Sequence, residues 1–237
     1  MASGERDEER FDGFAPAAFA WFEQLEADNS REWFTAHRDV FEREVRDPMR
    51  ALLSLVAAEE GGAARLARQH RDTRFSHDKS PYKTRTYGLV EERPGTLAPL
   101  YLEVAADGLF AGTGYRNLAA DQLDRFRAAV DEEVTGAALA DAVAAAEAGG
   151  VAVFGEALKR APRGWPVDHP RVRLLRHKTL VAGRRLAPTR AGIGRDAALA
   201  HARATWAAIA PIVAWLDRHV GASELPPPPS RFRRAAG

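Results

Sequence analysis

The sequence predicts a single α+β domain with N-terminal helices, a mainly antiparallel sheet built from hairpins, and a long C-terminal helix. Three observations support this fold class. Apolar residues recur at helical spacing from about residue 16 to residue 60. Short segments rich in Thr, Tyr and Val then follow, separated by Gly, Pro and Asp, as is typical of strands and turns. Near the end, a continuous apolar stripe at helical spacing runs from Asp196 to Val220.

Three helices are expected before the first glycine pair. The first spans Pro16 to Ala27, where a proline can occupy the first turn. Asn29 is expected to cap the second helix, with Glu32 reaching back as in a capping box. Asp47-Pro48 then supplies a new cap and a first-turn proline for a third helix, which is predicted to end near Gly61.

Two hairpins are expected after these helices. Arg65 to Phe75 pairs with Lys83 to Val90 across a long loop that contains a proline. Pro99 to Ala105 pairs with Leu109 to Gly114 through the turn Ala106-Asp107-Gly108. These pairings predict four antiparallel strands.

The second half of the chain is predicted to add helices and two short strands. Asp121 is expected to cap a helix, and an Ala-rich helix follows it to Gly149. Short strands are expected at 151–154 and 177–182, with a short helix opening at Asp168-His169-Pro170 between them. The terminal helix then closes the domain.

The domain is predicted to span residues 10–222, preceded by a disordered lead at 1–9 and followed by a disordered, Pro-rich basic tail at 223–237. The chain has no cysteine, which excludes disulfides, Cys-ligated zinc and thiol nucleophiles. Its N-terminus lacks the apolar core of a signal peptide, and its longest uncharged run, 204–216, is shorter than the roughly 20 residues of a membrane span. We therefore expect a cytoplasmic protein with no membrane partner.

The stretch RDTRFSHDKSPYKTR, residues 71–85, holds two of the four lysines in a chain with 34 basic residues. A lysine differs from an arginine where a compact ammonium contacts a phosphate or must lose a proton. This block carries a formal charge of +3, from five basic and two acidic residues. An acid from elsewhere, such as Glu103, or an anionic ligand should compensate for this charge. Three interpretations stay open: a structural tie through ion pairs, an anion site, and covalent lysine chemistry.

The favoured partner is a small phosphate- or carboxylate-bearing ligand. Asp72, Tyr82 and Lys83 are weaker candidates for catalytic roles, because they could orient the ligand or exchange protons. All four lysines fall within residues 71–85, 158–165 and 171–178, so one shared positive groove is a further hypothesis. The predicted ligand-binding residues are Arg71, Arg74, Lys79, Lys83, Lys159 and Arg160.

Other site classes receive less support from the sequence. Gly112-Thr113-Gly114 is expected between a strand and a helix, where glycines serve either a phosphate contact or a tight turn. No strong metal-ligand spacing is present, so no metal site is predicted, and the cofactor is unknown. A nucleic-acid-binding module with Tyr82 or Trp165 as stacking platforms is one alternative, and a protein-interaction scaffold is another. The net charge of +1 gives no global basic field, and the oligomeric state is not indicated.

Several segments resemble the domain of unknown function 2461 family. They are NSREWF at 29–34, Pro48, the block from Arg71 to Thr84, the Gly112/Gly114 segment, LKRAPRG at 158–164 and Asp168-His169-Pro170. The resemblance implies an α+β domain in a bacterial cytoplasmic protein, and it brings no established activity, cofactor or partner. It also implies that certain residues match motif positions, namely Arg71, Asp72, Arg74, Asp78, Lys79, Tyr82, Lys83, Lys159 and Arg160. His77 departs from the lysine common in relatives, which argues against His77 as a required ligand.

Overall fold

The computed structural model describes residues 10–74 and 76–226. The predictions for the lead at 1–9 and for most of the basic tail, 227–237, therefore lie outside the described residues. The first elements are β1 (Gly13–Phe14), α1 (Pro16–Ala27), α2 (Arg31–Ala36), α3 (Arg38–Val40), a π-helix (Phe41–Arg46) and α4 (Asp47–Glu60). Four strands follow: β2 (Ala63–Leu66), β3 (Arg85–Glu91), β4 (Leu100–Ala105) and β5 (Gly108–Tyr115). The remaining elements are α5 (Ala120–Asp131), α6 (Glu133–Ala148), β6 (Ala152–Phe154), α7 (Val172–Leu175), β7 (Leu180–Leu186), β8 (Ile193–Gly194) and α8 (Arg195–His219).

The α+β fold class is confirmed by a six-stranded antiparallel sheet in the order β2-β3-β4-β5-β7-β6. Both predicted hairpins are present, because β2 pairs with β3 and β4 pairs with β5. The first hairpin is shorter than expected: its ladder stops at Leu66 and Gly88, and an isolated bridge between His70 and Tyr82 lies beyond it. Backbone hydrogen bonds from Lys83 to Gln69 and from Arg71 to Pro81 continue the pairing there, and the side chains of Gln69 and Lys83 bind further backbone carbonyls.

The helix ends differ from the sequence-based predictions in three places. Ser30, not Asn29, caps α2, because its hydroxyl accepts a hydrogen bond from the Trp33 amide at 3.1 Å. Asp47 caps nothing, since the chain passes through the π-helix into α4 with helical backbone angles. Asp121 lies in the first turn of α5 rather than at its cap. Each predicted cap was chosen because its residue type is common at helix N-termini. The backbone conformation of the folded chain starts each helix at a different residue.

The glycines at positions 112 and 114 lie inside β5, as the predicted strand at 109–114 requires, and do not form a tight turn before a helix. Gly114 has φ of +131°, and a Cβ atom there would collide with the Leu180 carbonyl of the neighbouring strand. A Cβ atom at Gly112 would lie 2.8 Å from the Phe110 ring. These glycines are therefore required for close packing on the sheet surface.

The helices cover one face of the sheet and leave the other accessible to solvent. Along β3, Thr86, Gly88 and Val90 are buried, while the alternate positions from Arg85 to Glu91 are partly or fully exposed. The core has two clusters, one under the N-terminal helices and one under α5, α6 and α7. The long helix α8 joins them, because Trp206 belongs to the first cluster and Ile209 to the second.

Among the described residues, α8 is the one helix that is long and apolar enough to cross a membrane. Its apolar face is occupied inside the protein, where Leu199, Ile209 and Leu216 are buried. A core helix of a soluble domain has the same length and composition, so this helix is weak evidence for a membrane segment. The cytoplasmic location stays a prediction.

Two buried histidines are expected to make stability depend on pH. His201 on α8 donates a hydrogen bond to the Arg184 carbonyl, and His177 donates one to the Thr179 carbonyl, both at 3.1 Å. Burial lowers the pKa of both rings below the ordinary value of 6.5. As the pH falls, the histidines of the unfolded chain take up protons before those of the folded protein. Their contribution to the free energy of unfolding is therefore highest above pH 6.5 and decreases as the pH falls below this value.

Urea unfolding at pH 7.5 and pH 5.5 tests this expectation. The free energy of unfolding should be lower at pH 5.5 by at most about 1.4 kcal/mol for each histidine. In a His177→Gln/His201→Gln variant the difference between the two pH values should shrink. An equal pH dependence in the variant and the wild type would contradict the assignment to these two rings.

Candidate functional site

Two of the sequence segments singled out above meet at one place in the structure. The Asn29 side chain donates to the Tyr82 carbonyl and accepts from the Tyr82 amide, each at 3.1 Å. The Tyr82 ring stacks on Phe34 with centroids 3.9 Å apart and an interplanar angle of 10°. His70 lies beside the same ring at 4.8 Å. The NSREWF segment thus fixes the end of the Lys-containing block.

Gln69 and Lys83 connect the segment just before the block to the end of the block. Gln69 is buried, and its side chain donates to the Lys83 carbonyl and accepts from the Thr86 hydroxyl. The Lys83 ammonium donates to the backbone carbonyls of Arg68 and His70. Burial lowers the pKa of Lys83, with smaller contributions from Arg85 and Arg68. This ammonium therefore holds the backbone of residues 68–70 in place.

Most of the other charges of the block are paired within it, and Arg85 pairs with Glu103 on β4 at 3.4 Å, the outside acid that the sequence suggested. Arg74 binds both carboxylate oxygens of Asp72, at 2.9 and 2.6 Å, and these hydrogen bonds lower the pKa of Asp72 to about 2. Arg71 pairs with Asp78, whose pKa is lowered first by Ser80 and then by Arg71. The Lys79 ammonium donates to the Thr73 carbonyl at 3.1 Å. This pattern supports the structural interpretation of the block.

A cavity of about 450 Å³ lies between this block, the π-helix and β2, and we call it the arginine cavity. Its charged lining residues are Arg38, Arg46, Arg50, Arg68 and Glu42. Its apolar walls are the aromatic and aliphatic side chains of Phe34, Phe41, Leu66 and Tyr82. A pocket of this volume is large enough for a metabolite-sized ligand.

Arginines dominate the electrostatics of the arginine cavity. One Arg46 nitrogen donates to both oxygens of Glu42, at 2.8 and 2.7 Å. Arg38 approaches the same carboxylate at 3.8 Å, so one acid serves two arginines. Arg50 pairs with Asp47 at 2.8 Å. The lining residues therefore carry four positive charges and one negative charge.

Comparison with protein families identifies the chain's relatives. The family described as "Conserved hypothetical protein (DUF2461)" matches residues 17–215. The chain belongs to this family. No curated protein matches it. The resemblance that the motif segments predicted is confirmed.

The structure separates the DUF2461 motif residues Lys159 and Arg160 from the block. Lys83 precedes β3, whereas the second and third basic segments lie next to the start of β7, where Leu158 bonds to Arg176 and Lys178 to Glu156. β3 and β7 begin at opposite ends of the sheet, with β4 and β5 between them. The start of β3 and the start of β7 are therefore about 14 Å apart across the strands and about 20 Å apart along them. The shared-groove hypothesis is therefore wrong.

The three catalytic candidates have defined surroundings. Asp72 is held by Arg74, Lys83 is bonded to backbone carbonyls, and Tyr82 is buried in the aromatic stack with Phe34. Tyr82 is 5% exposed, and Phe34 covers one face of its ring. Trp165, the second proposed platform, packs against the second core cluster. Catalytic roles for the three candidates stay predictions.

The sequence-based prediction missed the arginines that line the arginine cavity. Arg38, Arg46 and Arg68 stand among 30 arginines, and nothing in their local sequence distinguishes them from solvent-exposed residues. The one available signal was helical spacing, which places Arg38, Glu42 and Arg46 on one face at intervals of four. Within residues 10–74 and 76–226, no group of three or more His, Asp or Glu side chains is arranged to hold a metal ion.

Proposed function

We propose that this DUF2461 protein binds a small phosphate- or carboxylate-bearing ligand in the arginine cavity. The observation that carries the proposal is the charge of the lining, with four arginines and a single carboxylate around about 450 Å³. Guanidinium groups match the geometry of carboxylate and phosphate oxygens and stay charged at all physiological pH values. An anion in this cavity would be attracted by an excess of positive charge.

The shape of the cavity supports a ligand that has a non-polar part as well as an anionic group. Phe34, Phe41 and Tyr82 form an aromatic wall, and polar groups of Gln69 and Thr86 lie beside it. A few polar groups among apolar side chains are the usual composition of a small-molecule site. The anionic group would face the arginines while the remainder contacts the aromatic wall.

The Lys-containing block acts on this site through the backbone of the cavity wall. Lys83 fixes the carbonyls of Arg68 and His70, which belong to two lining residues. Gln69, the residue between them, is tied to Lys83 and Thr86. The lysine is therefore assigned a positioning role, and the arginines are assigned the direct contact with the anion.

A thermal-shift screen tests the proposal. Extensively dialysed protein is screened against inorganic phosphate, sugar phosphates, nucleotides and small organic acids. A ligand at about 100 times its Kd should add roughly 2.7 kcal/mol to the free energy of unfolding, which raises Tm by about 5–11 °C. Arg68→Ala should reduce the shift strongly. Arg218→Ala changes an exposed arginine at the end of α8, so it serves as the matched control and should keep the shift.

The outcome also separates the two roles assigned to the basic residues. Lys83→Ala should lower Tm without ligand and weaken the ligand response, because the cavity wall loosens. Lys79→Ala should leave the response intact, since Lys79 bonds to Thr73 outside the cavity. A screen in which no anion shifts the wild type, or in which Arg68→Ala and Arg218→Ala respond equally, would overturn the proposal.

A further inference from the structure

The accessible face of the sheet carries a second site, which is separate from the arginine cavity. A groove of about 700 Å³ runs over β3, β4, β5 and β7, and we call it the sheet groove. Thr86 lines the arginine cavity, whereas its neighbour Arg85 lines the sheet groove. Because consecutive strand residues point to opposite faces, the two sites lie on opposite sides of the sheet.

Aromatic side chains form a row across this face. The ring centroids of Tyr87 and Tyr101 are 5.5 Å apart, those of Tyr101 and Phe110 are 6.0 Å apart, and those of Phe110 and Phe154 are also 6.0 Å apart. The four residues come from β3, β4, β5 and β6. None of them belongs to the buried core clusters, and Phe154 is 43% exposed. Tyr87 and Tyr101 lie nearly parallel at 26°, whereas the other two pairs meet edge to face at 70° and 63°. Aromatic faces of this kind provide stacking surfaces for bases.

Glycines form the floor between these rings. Gly112 and Gly114 line the groove without side chains, and both are buried. Phe110 leans over Gly112 and Gly183, where Cβ atoms would meet its ring. The floor is therefore flat and closely packed, and the Phe110 ring covers part of it.

Arginines surround the aromatic row and outnumber the acids. The charged lining residues of the sheet groove are Arg65, Arg85, Arg116, Arg185, Glu91 and Glu103, with a formal sum of +2. Arg116 and its neighbour Asn117 are exposed at the rim, and no ion pair of Arg116 is present among the described residues. Lys83 adds a further positive charge near one end, 5.4 Å from the Tyr87 ring centroid.

We propose that the sheet groove binds single-stranded nucleic acid. A few nucleotides would lie along the aromatic row, with bases stacked on Tyr101 and Phe154 and phosphates facing Arg116. Arg185 lies over the Phe110 ring and is bonded to Glu103 and Asp107, so it closes that part of the row. Stacking of this kind tolerates any base sequence, because every base has a flat face. A duplex does not fit this mode, since its bases are already stacked on one another.

Fluorescence anisotropy with a 5′-labelled ten-residue oligo-dT tests the proposal at about 50 mM KCl. Kd should be on the order of 10 µM, and its logarithm should rise with log salt at about 0.7 per phosphate contacted. Phe154→Ala and Arg116→Ala alter exposed residues outside the Glu103 ion-pair network, so the fold is retained. Each should raise Kd by about fivefold or more, and the double variant by more than either. Arg218→Ala, on the helix side of the sheet, should leave Kd unchanged.

Two further arms decide the nature of the ligand. Arg68→Ala should not change oligonucleotide binding, which keeps this test independent of the arginine cavity. AMP at the same nucleotide concentration should displace little of the bound oligonucleotide. Equal displacement by AMP would assign the groove to free nucleotides and overturn the proposal. Absence of binding at low salt, tighter binding of a duplex, or equal Kd values for wild type and the double variant would also overturn it.

Discussion

Replacement of Glu103 by alanine is expected to lower the free energy of unfolding by about 3 kcal/mol. The carboxylate is only 6% exposed and holds three partners on the accessible face of the sheet. Arg185 donates to it at 2.7 Å, the Tyr101 hydroxyl at 2.5 Å, and Arg85 lies at 3.4 Å. Removing one member of a buried ion pair costs roughly 3–5 kcal/mol because its partners stay desolvated. The partial exposure of the arginines places the expected cost at the lower end.

Tyr101 adds to this effect. Burial, followed by the hydrogen bond to Glu103, raises the pKa of the Tyr101 hydroxyl above its usual range. The hydroxyl therefore stays protonated and needs an acceptor, which Glu103→Ala removes. Glu103→Gln retains an amide oxygen as an acceptor and should be less destabilising than alanine.

Glu91→Ala is the matched control on the same face. It breaks the pair between Arg65 and Glu91 at 2.7 Å, whose side chains are 65% and 38% exposed. Exposed pairs of this kind contribute about 0–1 kcal/mol. Urea unfolding of both variants at pH 7 measures the difference. Equal stabilities of the Glu103→Ala and Glu91→Ala variants would show that Glu103 has no special role in the network.

Replacement of Tyr82 by alanine is expected to cost about 3–5 kcal/mol, the usual range for deleting a large buried aromatic side chain. Tyr82 is 5% exposed and stacks on Phe34 at 3.9 Å. It also forms part of the aromatic wall of the arginine cavity. The variant should therefore lose stability and any ligand-induced thermal shift together.

Tyr82→Phe separates the ring from the hydroxyl. The phenyl ring keeps the stack on Phe34, and the backbone bonds to Asn29 do not depend on the side chain. This variant should stay within about 1 kcal/mol of the wild type and keep its ligand response. Tm values and ligand shifts of the two variants, measured side by side, check both expectations. A Tyr82→Phe variant as unstable as Tyr82→Ala would assign the effect to the hydroxyl instead of the stack.

Most of the fold was predictable because its signals are local. The helical spacing in α1 and α8, the turn at Ala106-Asp107 and the glycine that ends α4 each act within a few residues. The errors occurred where distant segments decide the local structure. Asn29 is a residue type that commonly caps helices, yet its side-chain amide donates a hydrogen bond to the carbonyl of Tyr82, which lies 53 residues away.

The candidate site was predictable only in part. The unusual lysines drew attention to residues 71–85, and this block contributes Tyr82 to the lining of the arginine cavity, while Gln69 and His70, just before the block, line it as well. Its own charges are largely consumed by internal pairs such as Arg74 with Asp72. The arginines proposed to contact the ligand come from α3, the π-helix, α4 and the region after β2, and no short motif links all four.

The sequence by itself determined the α+β class, the hairpin pairing and the family. These properties depend on periodicity, turn chemistry and short motifs, each of which is contained within a short stretch of the sequence. Only the tertiary structure decided which charges meet. It brought Asn29 to Tyr82, placed Lys159 at the far end of the sheet, and exposed the aromatic row on the accessible face. Strand order and register set these distances, and many residues spread over the whole chain determine both.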